Sequence, residues 1–183
     1  MRPTLPSPAT LRDGSYVVLR SIRPSDESMM TKFHAALSDR SVYMRYFASL
    51  SLRTRTTHDR LSRVCDPDLS KEIVLVAERS DRQIKQAEIV GVGRLVRLDV
   101  GNRAELAVLI SDQFQRQGLG TRIVDALVRD AGQKKIDRIV AEMLRENCAM
   151  QIVLTRAGFR LYGIASPASL RSCLDLNPPD SAL

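Results

Sequence analysis

This chain has little with which to bind a metal. Its only histidines are His34 and His58, and its three cysteines, Cys65, Cys148 and Cys173, are scattered without metal-ligand spacing. No zinc site is expected from such a set, and the cysteines are expected to be reduced. Aromatic residues are scarce at 4%, and no recognisable nucleic-acid motif accompanies the excess of 28 Lys+Arg over 21 Asp+Glu. The net charge of +7 is therefore a weak argument for nucleic acid, since a polyanionic ligand and ordinary solvated faces explain it at least as well. No long apolar run follows Met1, where Pro3, Pro6 and Pro8 stand instead. Neither a signal peptide nor a membrane span is expected, and the expected location is the cytoplasm. Repeats and low-complexity segments are also lacking.

What is present suffices for one core. A chain of 183 residues, 44% hydrophobic, reads as a flexible N-terminal segment over 1–14, a single domain over 15–176 and a tail over 177–183. Period and breakers predict a strand near Tyr16 to Ile22 and a helix near Ser25 to Leu37, with Ser25 or Asp26 as N-cap. A further helical region runs through Val64, interrupted around Ala48 to Arg53. Strands follow near Ile73 to Glu78, Ile89 to Leu98 and Ala104 to Ile110, joined as antiparallel hairpins by a polar loop at Ser80-Asp81 and a turn at Gly101-Asn102. Then come a helix from about Gly118 to Lys134, a strand at Ile136 to Met143, a helix from about Asn147 to Ala157 with Gly158 as its C′ residue, and a hairpin from Phe159 to Leu176. Arg53, Arg55, Arg60 and Arg63 form the densest basic run, read as a solvated face or, less simply, as a dock for an acidic partner.

The segment richest in chemistry is Gln115-Arg116-Gln117-Gly118-Leu119-Gly120, between the apolar run Ala104 to Ile110 and a helix marked by Ile123, Val124, Leu127, Val128 and Ala131. Glycines where a strand feeds a helix expose backbone N–H groups and the positive helix end to a phosphate or pyrophosphate. A Walker loop would end in Gly-Lys-Ser/Thr, and Gly118-Leu119-Gly120-Thr121 has no such lysine. A dinucleotide fingerprint would have a third glycine where Ile123 stands.

The pattern Gln-x-x-Gly-x-Gly instead resembles the acyl-CoA pyrophosphate loop of the GNAT family of N-acetyltransferases. Arg20 to Asp26 is similar to that family's opening strand and its turn into the first helix. Ser41-Val42-Tyr43-Met44-Arg45-Tyr46-Phe47 is similar to a segment of the bacterial protein-lysine acetyltransferases, whose GNAT domain is often fused to a larger ligase-like or cyclic-nucleotide-binding domain. Asp66, Asp68, Ile73 to Ala77, Ile89 to Leu95, Ala104 to Val108, Glu146-Asn147, Met150 and Gly158-Phe159 continue the likeness. It extends from about Val17 to Leu176 and leaves no room for a second large domain. The fold it implies is α/β (α+β), with a mixed, mostly antiparallel sheet splayed at the cofactor site and helices on both faces.

The resemblance also implies a site. Glu105 is the candidate general base, in a strand whose apolar neighbours would make its carboxylate a better-matched proton acceptor; otherwise it closes the start of the strand and pairs with Arg103 or Arg97. Glu142 is the next candidate. Pantetheine would lie between the strands around Leu106 to Ile110 and Ile139 to Met143, with main-chain N–H groups of Val108, Leu109 and Ile110 polarising the thioester oxygen. Gln115, Arg116, Gln117, Gly118, Leu119, Gly120 and Thr121 would surround the pyrophosphate, unless the glycines form only a tight turn. Asn147 would meet the pantetheine arm or serve only as an N-cap.

The pattern also has departures. Leu154 stands where many family members carry the tyrosine that protonates the leaving thiolate. Tyr162 or water would substitute, since a thiol of pKa about 8.5 leaves competently near neutrality. Cys148 is read as a buried small residue rather than an acyl carrier. Tyr43, Arg45, Tyr46 and Phe47 either line the acceptor side or pack beneath a loop with Arg45 paired to an acid. The implied function is transfer of acetyl from acetyl-CoA to an amine, with a protein lysine among the candidate acceptors, by direct attack in a ternary complex and without metal. The alternatives are a silent acyl-CoA-binding module that reports to a partner, and a small-molecule amine acetyltransferase.

Overall fold

The computed structural model describes residues 5–81 and 86–177. Eight strands form one sheet: β1 (Ser7–Thr10), β2 (Tyr16–Ser21), β3 (Glu72–Asp81), β4 (Gln86–Arg97), β5 (Arg103–Ile110), β6 (Arg138–Leu144), β7 (Arg160–Ser166) and β8 (Ser169–Asp175). Their order across the sheet is β1-β2-β3-β4-β5-β6-β8-β7, and every pairing is antiparallel except β5 with β6. The helices are α1 (Glu27–Ala35), α2 (Asp39–Tyr46), α3 (Leu52–Arg55), α4 (His58–Cys65), α5 (Leu119–Gln133) and α6 (Cys148–Arg156). Most of the ladder of elements matches the periodicity of the sequence. The hairpin loop expected at Ser80-Asp81 is displaced, because β3 continues through those residues.

Two apolar clusters sandwich the sheet. In β3, Ile73, Leu75 and Ala77 join α5 and α6 on one face, while Val74 and Val76 join α1, α2 and α4 on the other. That is why Ile73 to Ala77 is apolar at every position: a strand covered on both sides has no solvent face to alternate toward. In α5, Leu119, Ile123, Val124, Ala126, Leu127 and Ala131 are buried at helical spacing. The helix can lie this close to β4 because Gly93 has no Cβ: one built there would stand 2.2 Å from Ile123 Cγ2 and 2.9 Å from Leu127 Cδ1. Emptying this contact by Leu127→Ala is expected to cost about 2–5 kcal/mol. At the end of α6 the amides of Gly158 and Phe159 donate to Thr155 O (3.1 Å) and Leu154 O (3.0 Å), the paired bonds of a Schellman stop with Gly158 at C′.

Three local expectations need correction. Within the segment expected to be flexible, Ser7–Thr10 is a paired strand, in register with Tyr16 to Leu19 of β2, and Ser7 and Ala9 are buried. Asp26 is the N-cap residue of α1, one of the two expected, but its side chain makes no bond to the first amides of that helix. Its carboxylate instead accepts from Arg20 Nη1 (2.7 Å), Arg20 Nη2 (2.9 Å) and the Arg23 amide (2.8 Å), while Arg20 Nε donates to Glu78 (2.7 Å). Burial pushes the Asp26 carboxyl up, but these donors outweigh it and hold it below the usual range. In the basic run, Arg55 is buried rather than solvated and donates to His34 O (2.8 Å) and Leu50 O (3.1 Å). No helix among the described residues is long and apolar enough to cross a membrane.

Candidate active site

The parallel pair β5 and β6 is joined only at Arg103↔Arg138, Ala104↔Ile139 and Glu105↔Val140. Yet β5 stays paired with β4 as far as Ile110, and β6 with β8 as far as Leu144. Beyond Glu105 the strands part, each held by its other neighbour, and Glu105 stands at the vertex of the fork. The Ser111 amide donates to Val90 O (3.0 Å) and the Leu98 amide to Arg103 O (2.8 Å), which turns the odd-numbered residues of β5 toward β4. Leu106, Val108 and Ile110 therefore direct their amides and carbonyls into the fork, while Leu109 directs its own to β4.

After β5 the chain makes a 3-10 turn at Asp112–Phe114 and reaches α5 through Arg116 (φ +60°) and Gly118 (φ +87°). Left-handed backbone at Gly118 favours glycine, and a Cβ there would meet nothing within 4 Å. The α5 N-cap is thus a residue without a side chain, and among the described residues nothing accepts from the amides of Gly118, Leu119, Gly120 or Thr121. Uncapped donors at the positive end of a 15-residue helix form a receptor for an anion. The β1–β2 turn is stitched beside it: the Arg12 amide donates to Gln117 O (3.3 Å), the Arg12 guanidinium to Arg116 O (3.4 Å), and Arg122 to Thr10 O (3.3 Å).

Opposite the fork, α2 is locked to this loop through Asp112. Its carboxylate accepts from the Ser38 amide (2.9 Å), the Ser38 hydroxyl (2.6 Å) and the Ser41 hydroxyl (2.8 Å). Desolvation pushes the Asp112 carboxyl up, but these hydrogen bonds prevail and hold it below the usual range. Ser38 also caps α2 by accepting from the Ser41 amide (3.2 Å). Gln115 completes the lock, donating to Ser41 Oγ (2.9 Å) and Ile110 O (3.2 Å). The helix so fixed packs against β5 and β6 and presents Met44, Arg45, Tyr46 and Phe47 to the cleft.

The cleft enclosed between fork, loop, α2 and α6 has a volume of about 960 Å³. Glu105, Val108, Leu109, Ile110, Gln115, Arg116, Gly118, Gly120, Thr121 and Asn147, all expected at the site, line it together. Gln117 and Leu119 do not: Gln117 offers its carbonyl to Arg12, and the Leu119 side chain is buried in the core. Gln115 lines the wall, but its amide is engaged in the α2 lock. Asn147 is the N-cap of α6, accepting from the Met150 amide (3.1 Å). Glu105 is exposed rather than enclosed by apolar neighbours, because the strands separate at its position. It pairs with neither Arg103 nor Arg97; Arg97 donates to Asn102 and Lys134 O. Glu142 also lines the cleft and accepts from Ser169 Oγ (2.8 Å).

Leu154 is fully buried, so the position where many family members have a tyrosine is core here. Tyr162 cannot take over, since it lies on β7, the outer strand beyond β8, and does not border the cleft. Cys148, expected to be buried, is exposed on the cleft wall as the first residue of α6. Tyr43 stays outside the cleft, and Arg45 has no acid paired with it among the described residues. Asp112 and Arg12 are the residues that sequence reasoning missed. The spacing Ser38-x-x-Ser41 carried a helix-start signal, but a partner 74 positions away leaves no local trace.

Comparison with known proteins agrees with this geometry. The model of the acetyltransferase (GNAT) domain matches residues 17–160. Acetyltransferase Pat of Mycolicibacterium smegmatis is 27% identical over 154 residues, which are 84% of this chain and 44% of the relative; the chain thus spans less than half the length of this curated relative. The GNAT domain of S. lividans PAT superposes with a TM-score of 0.82 at 25% identity, covering 96% of this chain and all of that one. Mycobacterium smegmatis RimJ, solved in complex with CoA-disulfide, shares the fold at a TM-score of 0.72 and 17% identity, over 96% of this chain and 90% of its own. Because the matched span takes in both arms of the fork, the loop and α6, membership follows: this chain belongs to the GNAT acetyltransferase family.

Proposed function

We propose that the protein is an N-acetyltransferase that moves the acetyl group of acetyl-CoA to an amine, with a protein lysine as the acceptor. The observation that carries this reading is the fork, with a carboxylate at its vertex and uncapped helix amides at its open end. Pantetheine lies along β5, hydrogen-bonded to the backbone of Leu106, Val108 and Ile110, and the pyrophosphate rests on the amides of Gly118 to Thr121 with Arg116 adding charge. Glu105, open to water, removes the proton of the acceptor ammonium directly or through one water molecule. The free amine attacks the thioester carbon, the oxyanion is stabilised by an amide of β5, the C–S bond breaks, the nitrogen gives its surplus proton to water, the thiolate takes a proton from solvent, and Glu105 returns its own proton to water. The resemblance of Ser41 to Phe47 to a segment of the bacterial protein-lysine acetyltransferases supports the lysine acceptor, beside the likeness to Acetyltransferase Pat and to the GNAT domain of S. lividans PAT.

The test is thiol release from acetyl-CoA across a panel of amines and lysine-bearing proteins. Release that depends on the acceptor is expected, together with a thermal shift from acetyl-CoA clearly larger than that from NAD. A shift without release from any acceptor identifies a silent CoA-binding module instead. Both substrates must be bound at once for direct attack, so initial-rate lines at fixed acceptor concentrations intersect and Cys148→Ala remains active. Parallel lines and a stoichiometric acetyl group on Cys148, chased to the acceptor, would replace direct attack with a covalent route.

A further inference from the structure

This fold satisfies most of the arginines it takes out of water. Arg20 is held by Asp26 and Glu78, and Arg55 by two backbone carbonyls. Arg45 is not satisfied in this way. Half-buried in the cleft wall near the end of α2, it has no ion-pair partner and no hydrogen-bond acceptor among the described residues. Its guanidinium lies 5.0 Å from the Tyr46 ring centroid, and Arg60 lies 4.9 Å from the same ring. Burial, with Arg94 and Arg60 nearby, holds the Arg45 guanidinium below the usual arginine range against the opposing pull of Tyr46 and Glu105. A desolvated cation beside other cations is a standing cost that a bound anion would relieve.

The position says which anion. Arg45 lies within electrostatic reach of Glu105, so a group bound at Arg45 is a neighbour of the amine deprotonated at Glu105, and it sits on the acceptor side of the cleft, away from the uncapped amides of α5. Arg40 lines the same wall. Phe47 at the cleft wall, and Tyr43 and Leu52 outside it, are exposed at 39%, 39% and 44%, so apolar surface on α2 and α3 is open to an acceptor longer than one amino acid. We propose that Arg45 receives a carboxylate carried next to the acceptor amine, so that the preferred acceptor is a lysine flanked by Asp or Glu in an exposed polypeptide segment. The inference rests on the N-acetyltransferase reading above.

The experiment measures thiol release with lysine peptides that are identical except for Asp or Glu against Asn or Gln beside the lysine. One charge-assisted fork to a carboxylate is expected to favour the acidic member by about tenfold or more in kcat/KM, mainly through KM. Arg45→Gln is expected to abolish that preference, and Arg45→Lys to keep part of it. The acetyl-CoA thermal shift of each variant reports folding and cofactor binding separately. Equal turnover of both peptides by the wild-type protein overturns the inference while leaving the acetyltransferase reading intact. So does a preference that survives in Arg45→Gln, or a higher kcat/KM for free amino acids than for any acidic peptide. Absence of thiol release from every acceptor overturns the reading itself, and the inference with it.

Discussion

The two ends of the cleft are made of different materials. The end that faces α5 is backbone: the parted edge of β5, two left-handed residues and a helix start with no side chain to cap it. The end that faces α2 is side chain: Glu105, Arg45, Tyr46 and Phe47, held in place by a lock between Asp112 and the serines of α2. Backbone donors are common to every sequence and suit a ligand that does not change. Side chains can vary without disturbing the fold, and suit the substrate that differs from one family member to another.

By that division, Glu105→Gln strikes only the side-chain end. Turnover is expected to fall about 100-fold to 10,000-fold, the usual contribution of a general base, while calorimetric affinity for acetyl-CoA stays unchanged. Loss of affinity with unchanged turnover would erase the distinction between the two ends. A smaller effect is expected in the core beneath α2. His34 is buried and its Nδ1 has no partner among the described residues; desolvation first, then Arg55, Arg60 and Arg45, lower its pKa from 6.5 to about 4. The unfolded chain therefore binds a proton that the folded one refuses. Stability from this group is complete above about pH 6.5 and is lost as pH falls toward 4, by roughly 3 kcal/mol. Denaturation midpoints across that range should slope in the wild type and flatten in His34→Leu; parallel curves would show that His34 does not govern the acid limb.

Gly118→Val tests the backbone end with the smallest expected change. A side chain there strains a left-handed residue and enters the space above the helix amides. Acetyl-CoA affinity is expected to drop by about tenfold or more, with the fold retained. Unchanged affinity in calorimetric titration would reduce the loop to a plain turn.

The same division explains what the sequence disclosed. The loop was legible because a left-handed residue before an uncapped helix calls for glycine, and Gly118 is written at that place. The helices and most strands were legible because each buries a periodic face. Cys148 and Arg55 were misread because exposure in the one and burial in the other depend on what packs above them. The open surroundings of Glu105 could not be foreseen, since local pattern shows the apolar residues of its strand but not that the neighbouring strand leaves at that residue. Arg12 was hidden because β1 is too short to announce itself and is recruited by pairing with β2.

That short strand has a consequence for life at high concentration. An open sheet has two borders, and any border with unpaired amides invites a stranger's strand. On one side the border is β1, four residues long, where Pro8 has no amide hydrogen to give. On the other it is β7, whose register against β8 shifts between Tyr162 and Ile164 and again between Ile164 and Ser166, with Gly163 at φ +65°. One border is too short and proline-marked, the other too irregular, to template a neighbour. The sheet that must open in the middle to admit its ligands is blunted at both rims against self-association.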